Sequence, residues 1–345
     1  MNARRVLAAL ALMALTAGTA ACGNDAAGSA DAGADQVRLG FFPNITHATA
    51  LVGVEKGFYQ KELGVPVRTS TFNAGPAAIE AVFSGAIDAT YVGPNPAINA
   101  WQKSKGQAIK IIAGAASGGV ALVVKPEIKS VEDLRGKKIA TPQLGNTQDV
   151  ALRYWLRSKG LNTDTKGGGD VHIVPQENAQ TLQTFATGDI DGAWVPEPFA
   201  SRLVLESGGK VLQDERELWP GKQFVITHLI VRQEWAKAHP DLVKKLLKAH
   251  VAANKFINDD PDGAAQVANA AIEKLTKKPL KPEVLASAFK NITFTNDPIA
   301  SSLTASAKHA EEVGLLEPVD LTGIYDLKPL NEVLAAEGQA AVSDR

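Results

Sequence analysis

An α/β fold with two doubly wound lobes is predicted for this chain, and three observations predict it. From Val37 onward, short apolar strands alternate with amphipathic segments; the alternation runs through two series; and both series contain the phrase G-x-I-D-x-x-aromatic-V, as Gly85 to Val92 and as Gly188 to Val195. A length of 345 residues with 45% apolar content supports two separate cores rather than one enlarged core. Two lobes imply a cleft between them.

The first series reads as strands over 37–42, 65–72, 89–92 and 109–115, separated by helices over 46–59, 76–84 and 96–105. The second helix is entered through Gly75 with Pro76 in its first turn, where a missing N–H costs nothing. The second series has strands over 120–124, 138–141, 171–174 and 191–195, with helices near 131–135 and over 147–158, 179–187 and 198–206. The Gly-rich stretch 166–170 reads as a surface loop. Such alternation argues for mostly parallel sheets covered on both faces. A late strand over 224–231 is followed by helices over 234–258, 262–275, 282–290 and 298–313, with no strand between them. The chain is therefore expected to cross back and pack a C-terminal helical tail on the first lobe. The expected division is 36–118 plus 228–345 for lobe one and 119–227 for lobe two, with crossings near 117–120 and 227–229.

Residues 1–21 read as an export signal, with Arg4 and Arg5 at the positive end and an apolar stretch over 6–15. Cys22, the only cysteine, stands where a bacterial lipoprotein signal places the thiol that receives a diacylglycerol group. Thr19-Ala20-Ala21 departs from the usual lipoprotein box, which leaves simple cleavage at an Ala-x-Ala-like site as the alternative. One cysteine permits no internal disulfide, so packing alone must supply stability. Residues 22–35 form the expected lipidated N-terminus and flexible tether, because Gly, Ala, Ser, Asn and Asp cannot bury enough surface to order themselves. The predicted location is the outer face of the cytoplasmic membrane or the periplasm, with membrane attachment through the lipid only.

Lys plus Arg number 36 against 37 Asp plus Glu, so no summed positive field favours nucleic acid. No G-x-S-x-G elbow, H-E-x-x-H helix or phosphate loop is present, and the six histidines show no close metal-ligand spacing. An enzyme is not expected, no cofactor or metal is implied, and the partner is expected to be a small molecule bound by a monomer.

In open α/β sheets, ligands bind beyond the carboxyl ends of strands, so the candidate residues are those that follow strands. They are Phe42, Asn44, Thr46 and His47 after the first strand, Asn73 and Gly75 after the second, and Asn95 after the third. Ser117 and Gly118 stand at the crossover, Gln143, Gly145, Asn146 and Thr147 follow a strand of lobe two, and Trp194 and Glu197 close the set. These loops are rich in Gly, Asn, Thr and Gln and contain no Lys or Arg, which suits a neutral cage of dipoles around a weakly basic oxyanion. Trp194 or Phe42 would pack on an apolar tail. Each has an ordinary alternative: Asn146 or Thr147 as a helix cap, His47 in local packing, Trp194 in the core, Glu197 paired with a basic side chain of its own lobe.

The stretch Gly40-Phe41-Phe42-Pro43-Asn44-Ile45-Thr46-His47-Ala48, together with Gly57-Phe58-Tyr59, Gly85-Ala86-Ile87-Asp88, Asp133 to Ala140 and His239 to Val243, resembles the nitrate, sulfonate and taurine class of ABC-importer solute-binding proteins. The resemblance covers about 37–326, and its opening is most similar to the aliphatic-sulfonate branch. It implies a type II periplasmic-binding-protein fold, hinge closure around one solute, and delivery to a permease with a cytoplasmic ATPase. It also implies cleft roles for Asn44, Thr46, His47 and Gly75 first, and then for Asn95, Gly145, Asn146 and Thr147. The chain has Pro142-Gln143-Leu144-Gly145-Asn146-Thr147 where many sulfonate binders have a Ser-rich helix entry, and Glu197 where they have aspartate. Taurine, nitrate, bicarbonate and a pyrimidine precursor of thiamine are the alternative solutes, and Glu197 is the acidic partner taurine's ammonium would need. A secreted enzyme, or a sensor on the same fold, is the reading from a different class.

Overall fold

The structure, a computed structural model, describes Gln36 to Asp344. The expected signal segment, Cys22 and the tether lie outside the described residues. The first sheet contains β1 (Val37–Phe41), β2 (Val67–Thr71), β3 (Ala89–Val92) and β4 (Ile109–Gly118); the second contains β5 (Val120–Val124), β6 (Lys138–Thr141), β7 (His172–Pro175), β8 (Gly192–Pro196) and β9 (Lys210–Asp214). Two later strands, β10 (Val225–Arg232) and β11 (Ile292–Phe294), return to the first sheet. The strand orders are β11-β4-β10-β3-β1-β2 and β7-β6-β8-β5-β9. Parallel pairing is confined to β2-β1-β3 and β7-β6-β8; all other neighbours are antiparallel, so the sheets are mixed rather than mostly parallel.

The helices are α1 (Ala48–Glu55), α2 (Phe58–Leu63), α3 (Gly75–Phe83), α4 (Pro94–Lys103), α5 (Thr147–Ser158), α6 (Asn178–Thr187) and α7 (Phe199–Ser207). A C-terminal group follows: α8 (Gln233–Ala238), α9 (Pro240–Asp259), α10 (Pro261–Thr276), α11 (Pro282–Lys290), α12 (Ala300–Glu312) and α13 (Lys328–Ala336). The helix expected over 46–59 is broken at Gly57, whose φ of 71° ends α1. The one expected over 234–258 is broken at Pro240, which lacks the N–H needed to continue α8 and instead opens α9. The expected helix near 131–135 is a single 3-10 turn, Glu132–Leu134. α9 and α10 pack on α1, and α12 on α4, so the tail covers the first lobe; α11 and α12 also reach α7 and α5 of the second. Among the described residues no helix is long and apolar enough to cross a membrane.

The repeated phrase is a repeated piece of architecture. Gly85 and Gly188 both take left-handed φ, 70° and 84°, at the end of a helix. Each following aspartate then ties the new strand to its parallel neighbour. Arg38 N–H donates to Asp88 Oδ2 at 2.9 Å while Asp88 N–H donates to Arg38 O at 2.9 Å. Lys138 N–H donates to Asp191 Oδ2 at 2.8 Å while Asp191 N–H donates to Lys138 O at 2.8 Å. One sequence signature thus sets the register of β3 on β1 and of β8 on β6.

The chain leaves the first sheet at Gly118 and enters the second at Val120. Gly118 and Gly119 have φ of 79° and 70°, and a Cβ on Gly119 would meet Ile292 Cγ1 at 2.4 Å, so the crossing is a tight glycine turn. The return falls between Asp214 and Val225. The expected crossing at 227–229 lies inside β10, where His228 and Leu229 pair with β3 on one side and β4 on the other. We therefore propose that residues 215–224 are the second connection and that lobe one resumes at Val225.

Candidate functional site

The segment after β1 supplies one wall of a recess between the lobes. Residues 45–47 form a buried 3-10 turn. Thr46 Oγ1–H donates to Asn44 Oδ1 at 2.8 Å, which leaves the Asn44 NH2 group as the donor of that amide. Phe42 N–H donates to His47 Nδ1 at 3.3 Å, and the two rings stack with centroids 4.2 Å apart. With Nδ1 accepting, the neutral imidazole carries its proton on Nε2. Burial lowers the His47 pKa to about 3, so the ring is an uncharged donor at neutral pH.

Two helix starts close the recess. The first residue of α3, Gly75, has no room for a side chain, since a Cβ would lie 2.2 Å from Pro96 Cγ; no side chain caps this helix. Its first backbone N–H groups therefore have no side-chain cap. On the other lobe, Asn146 Oδ1 accepts from Asp149 N–H at 2.9 Å and caps α5, while Asn146 Nδ2–H donates to Gln148 Oε1 at 3.0 Å. Asp149 holds the whole loop from beneath. It accepts from Thr141 Oγ1–H at 3.0 Å, Gly145 N–H at 2.9 Å and Arg153 Nε–H at 3.1 Å. Thr147 then meets the first lobe: a Cβ on Gly93 would lie 2.4 Å from Thr147 Oγ1.

The recess, about 30 Å³, is lined by Phe42, Asn44, Thr46, His47, Asn73, Gly75, Gly93, Asn146, Thr147, Gln148, Asn178, Pro196 and Ile226 among others. Among the described residues no Lys, Arg, Asp or Glu lines it. It shares Phe42, Asn44, Asn73 and Asn178 with a chamber of about 430 Å³ that is lined by Phe72, Leu182, Phe199, Ile272 and Leu280 and also by Glu177, Gln183, Arg202, Thr276 and Lys278. Asn73 Nδ2–H donates across the cleft to Glu177 Oε1 at 2.6 Å. Beyond that bond an open groove contains Gln143 and Leu144.

Several residues named from the sequence lie elsewhere. Asn95 Nδ2–H donates to Ser306 O at 3.3 Å, tying α4 to α12. Ser117 Oγ accepts from Phe224 N–H at 3.2 Å, and Gly118 abuts Asn291, both at the crossing between sheets. Gln143 borders the groove rather than the recess, and Gly145 supports its loop. Trp194 is fully buried beside Trp155, centroids 5.5 Å apart, with its Nε1–H donating to Glu215 Oε2 at 2.7 Å; it is a core residue. Glu197 faces away because side chains alternate along a strand and Pro196 faces the recess. Its carboxylate accepts from Ser201 N–H at 3.0 Å and Asn291 Nδ2–H at 2.7 Å on the hinge side.

Asn178 and Gln148 were not singled out from the sequence. Asn178 lines both cavities, and its Oδ1 is buried without a hydrogen-bond partner. It follows β7, so the rule that pointed to the other loops covered it too.

Residues 30–272 match the model of the NMT1-like family. The chain is 30% identical to a binding protein of Brucella abortus over 251 residues, 72% of this chain and 74% of that one. It is 30% identical to the taurine-binding periplasmic protein of Escherichia coli over 207 residues, 59% of this chain and 61% of the other. Its fold resembles that of the alkanesulfonate-binding protein SsuA from Xanthomonas axonopodis pv. citri bound to MOPS, with a TM-score of 0.70 and 19% identity, covering 86% of this chain and 99% of that one. The chain belongs to the NMT1-like family, within the nitrate, sulfonate and taurine class of ABC-importer solute-binding proteins.

Proposed function

We propose that the protein captures a small organic oxyanion, an aliphatic sulfonate, between its lobes outside the cytoplasmic membrane, held there by lipid on Cys22, and delivers it to the permease. The observation that carries this reading is the pairing of two cavities: a small recess of uncharged donors that adjoins a larger chamber with an apolar wall of Phe42, Phe72, Leu182 and Phe199. The His47 Nε2–H, the Asn44 amide, the Thr147 hydroxyl and the α3 N-terminus suit a weakly basic oxyanion, which needs hydrogen bonds but no countercharge. The chamber suits a carbon chain; nitrate and bicarbonate would leave it unused. Asn178 stands at the junction of head and tail. The acidic partner expected for taurine, Glu197, is turned toward the hinge, but Glu177 lines the chamber and keeps the taurine reading open to test. The roles given to these residues describe binding, not turnover, and no catalytic step is proposed.

Thermal melts with butane-1-sulfonate, taurine, nitrate, bicarbonate and a hydroxymethylpyrimidine test the reading. A ligand at a hundredfold its dissociation constant adds about 2.7 kcal/mol to stability. Butane-1-sulfonate is expected to raise the melting temperature and nitrate to leave it unchanged; the reverse order would remove the sulfonate.

Closure gives a second expectation. Gly93 has φ −71° and ψ 165°, which any residue adopts, so alanine there is strained only by Thr147 of the opposite lobe. Gly93→Ala should therefore weaken butane-1-sulfonate binding about tenfold, an overpacking cost near 1.4 kcal/mol in the closed form, with the solute-free melting temperature nearly unchanged. Calorimetry showing equal affinity would mean that the lobes do not need this contact.

A further inference from the structure

The charge missing from the recess is found at the rim of the chamber. Arg202 of α7 and Lys278, just past α10, line it from opposite lobes. Arg202 Nε lies 2.8 Å from Glu206 Oε2, but that carboxylate is shared with Lys281 Nζ at 3.5 Å, so two cations face one anion. Lys278 has no ion pair among the described residues. Among the described residues Glu177 is the one acidic group lining the chamber, and it has an oxygen engaged by Asn73 of the other lobe. A tail that is only hydrocarbon would leave Lys278 unpaired among the described residues and Arg202 with only a shared carboxylate.

Resting on the sulfonate reading above, we propose that the solute is a dianion: an oxyanion head in the recess, a short apolar spacer along the Phe42 and Phe199 wall, and a second anionic group held by Arg202 and Lys278. Arginine offers a planar fork to such a group and lysine a mobile point charge. The rim is partly exposed, so salt screens the pair over about 8 Å at physiological ionic strength, and the preference should shrink as salt rises.

Calorimetry at physiological salt with 4-sulfobutanoate, butane-1-sulfonate and taurine tests this. In the native protein 4-sulfobutanoate is expected to bind about tenfold more tightly than butane-1-sulfonate, a difference near 1.4 kcal/mol. In the double variant Arg202→Gln, Lys278→Gln the ratio should fall to within about twofold. Equal affinities in the native protein, or a ratio that survives in the double variant, would overturn the dianion while leaving the sulfonate head in place. Taurine binding most tightly would also overturn it and assign the far end to Glu177. Failure of all three to bind would overturn both this proposal and the reading on which it rests. The comparison in the native protein decides even if the double variant folds poorly.

Discussion

Arg153→Met is expected to lower the unfolding free energy by about 3–5 kcal/mol, a large fraction of what holds a lobe of this size together. The reason is burial without escape. Arg153 and Asp149 have side-chain exposures of 2% and 0%, and their Nε to Oδ2 distance is 3.1 Å. Removing the guanidinium leaves a carboxylate in a dry site, supported only by Thr141 Oγ1–H, Gly145 N–H and the helix start. The arginine also ties α5 to the Gly-rich loop, since its Nη1–H donates to Asp164 O at 2.7 Å. Asp149→Asn combined with Arg153→Met removes both charges, and the double variant should lose less than the sum of the single losses. Urea midpoints of the three variants measure this. A loss below about 1 kcal/mol for Arg153→Met would mean that water reaches the carboxylate. The loop at stake is the one that presents Thr147 to the recess, so solute affinity should fall with stability.

The cleft was legible in the sequence where a parallel strand feeds a helix and illegible where the chain does something else. Asn44, Thr46, His47, Gly75 and Thr147 follow β1, β2 and β6, and they come together in one recess. Ser117 and Gly118 were expected to follow a strand ending at 115, but they are the last two residues of β4, whose carboxyl end turns through Gly118 and Gly119 into the other sheet rather than into a helix. Trp194 and Glu197 failed by alternation and depth: Pro196 faces the recess, its successor faces away, and two residues earlier the strand is already under α5. The far wall of the chamber, Ile272 to Leu280, comes from the end of α10 and the turn after it, more than 130 residues beyond β5 and β6, and no local pattern reports such a placement. Strands β9 and β11 lie at sheet edges and were missed because they carry little apolar signal: none of the five residues of β9 is buried. β11 has three residues, of which only Ile292 and Phe294 are buried, too few to reveal a period of two.

Acid should unfold this protein from within, and the sign follows from which buried groups titrate. His228 and His250 are fully buried and burial lowers each pKa to about 4, as it lowers His47 to about 3. A histidine depressed in the folded state contributes stability above its unfolded value of about 6.5, and that stability is lost as pH falls through the folded pKa. Each of His228 and His250 is worth about 3 kcal/mol on this count. Glu215 acts in the opposite direction. Burial raises its pKa to about 7, despite hydrogen bonds from Trp194 Nε1–H at 2.7 Å and Trp219 Nε1–H at 3.4 Å. Its contribution is complete below about pH 4.5 and is lost as pH rises through 7, again about 3 kcal/mol. His309, also lowered to about 4 by burial, adds to the imidazoles, and Glu197, also raised by burial, adds to Glu215; four imidazoles outweigh two carboxyls, so stability should fall steeply between pH 6.5 and 4. The two kinds of site can be separated. His250→Gln keeps a polar partner for Tyr91 Oη, now 2.7 Å from His250 Nδ1, and should flatten the acid limb. Glu215→Gln removes the opposing slope and should steepen it. Urea midpoints from pH 5 to 8 for the native chain and both variants read this directly; two variants that bend the curve the same way, or a native curve flat from pH 7 to 5, would show that water or a rearranged core reaches these groups before they charge.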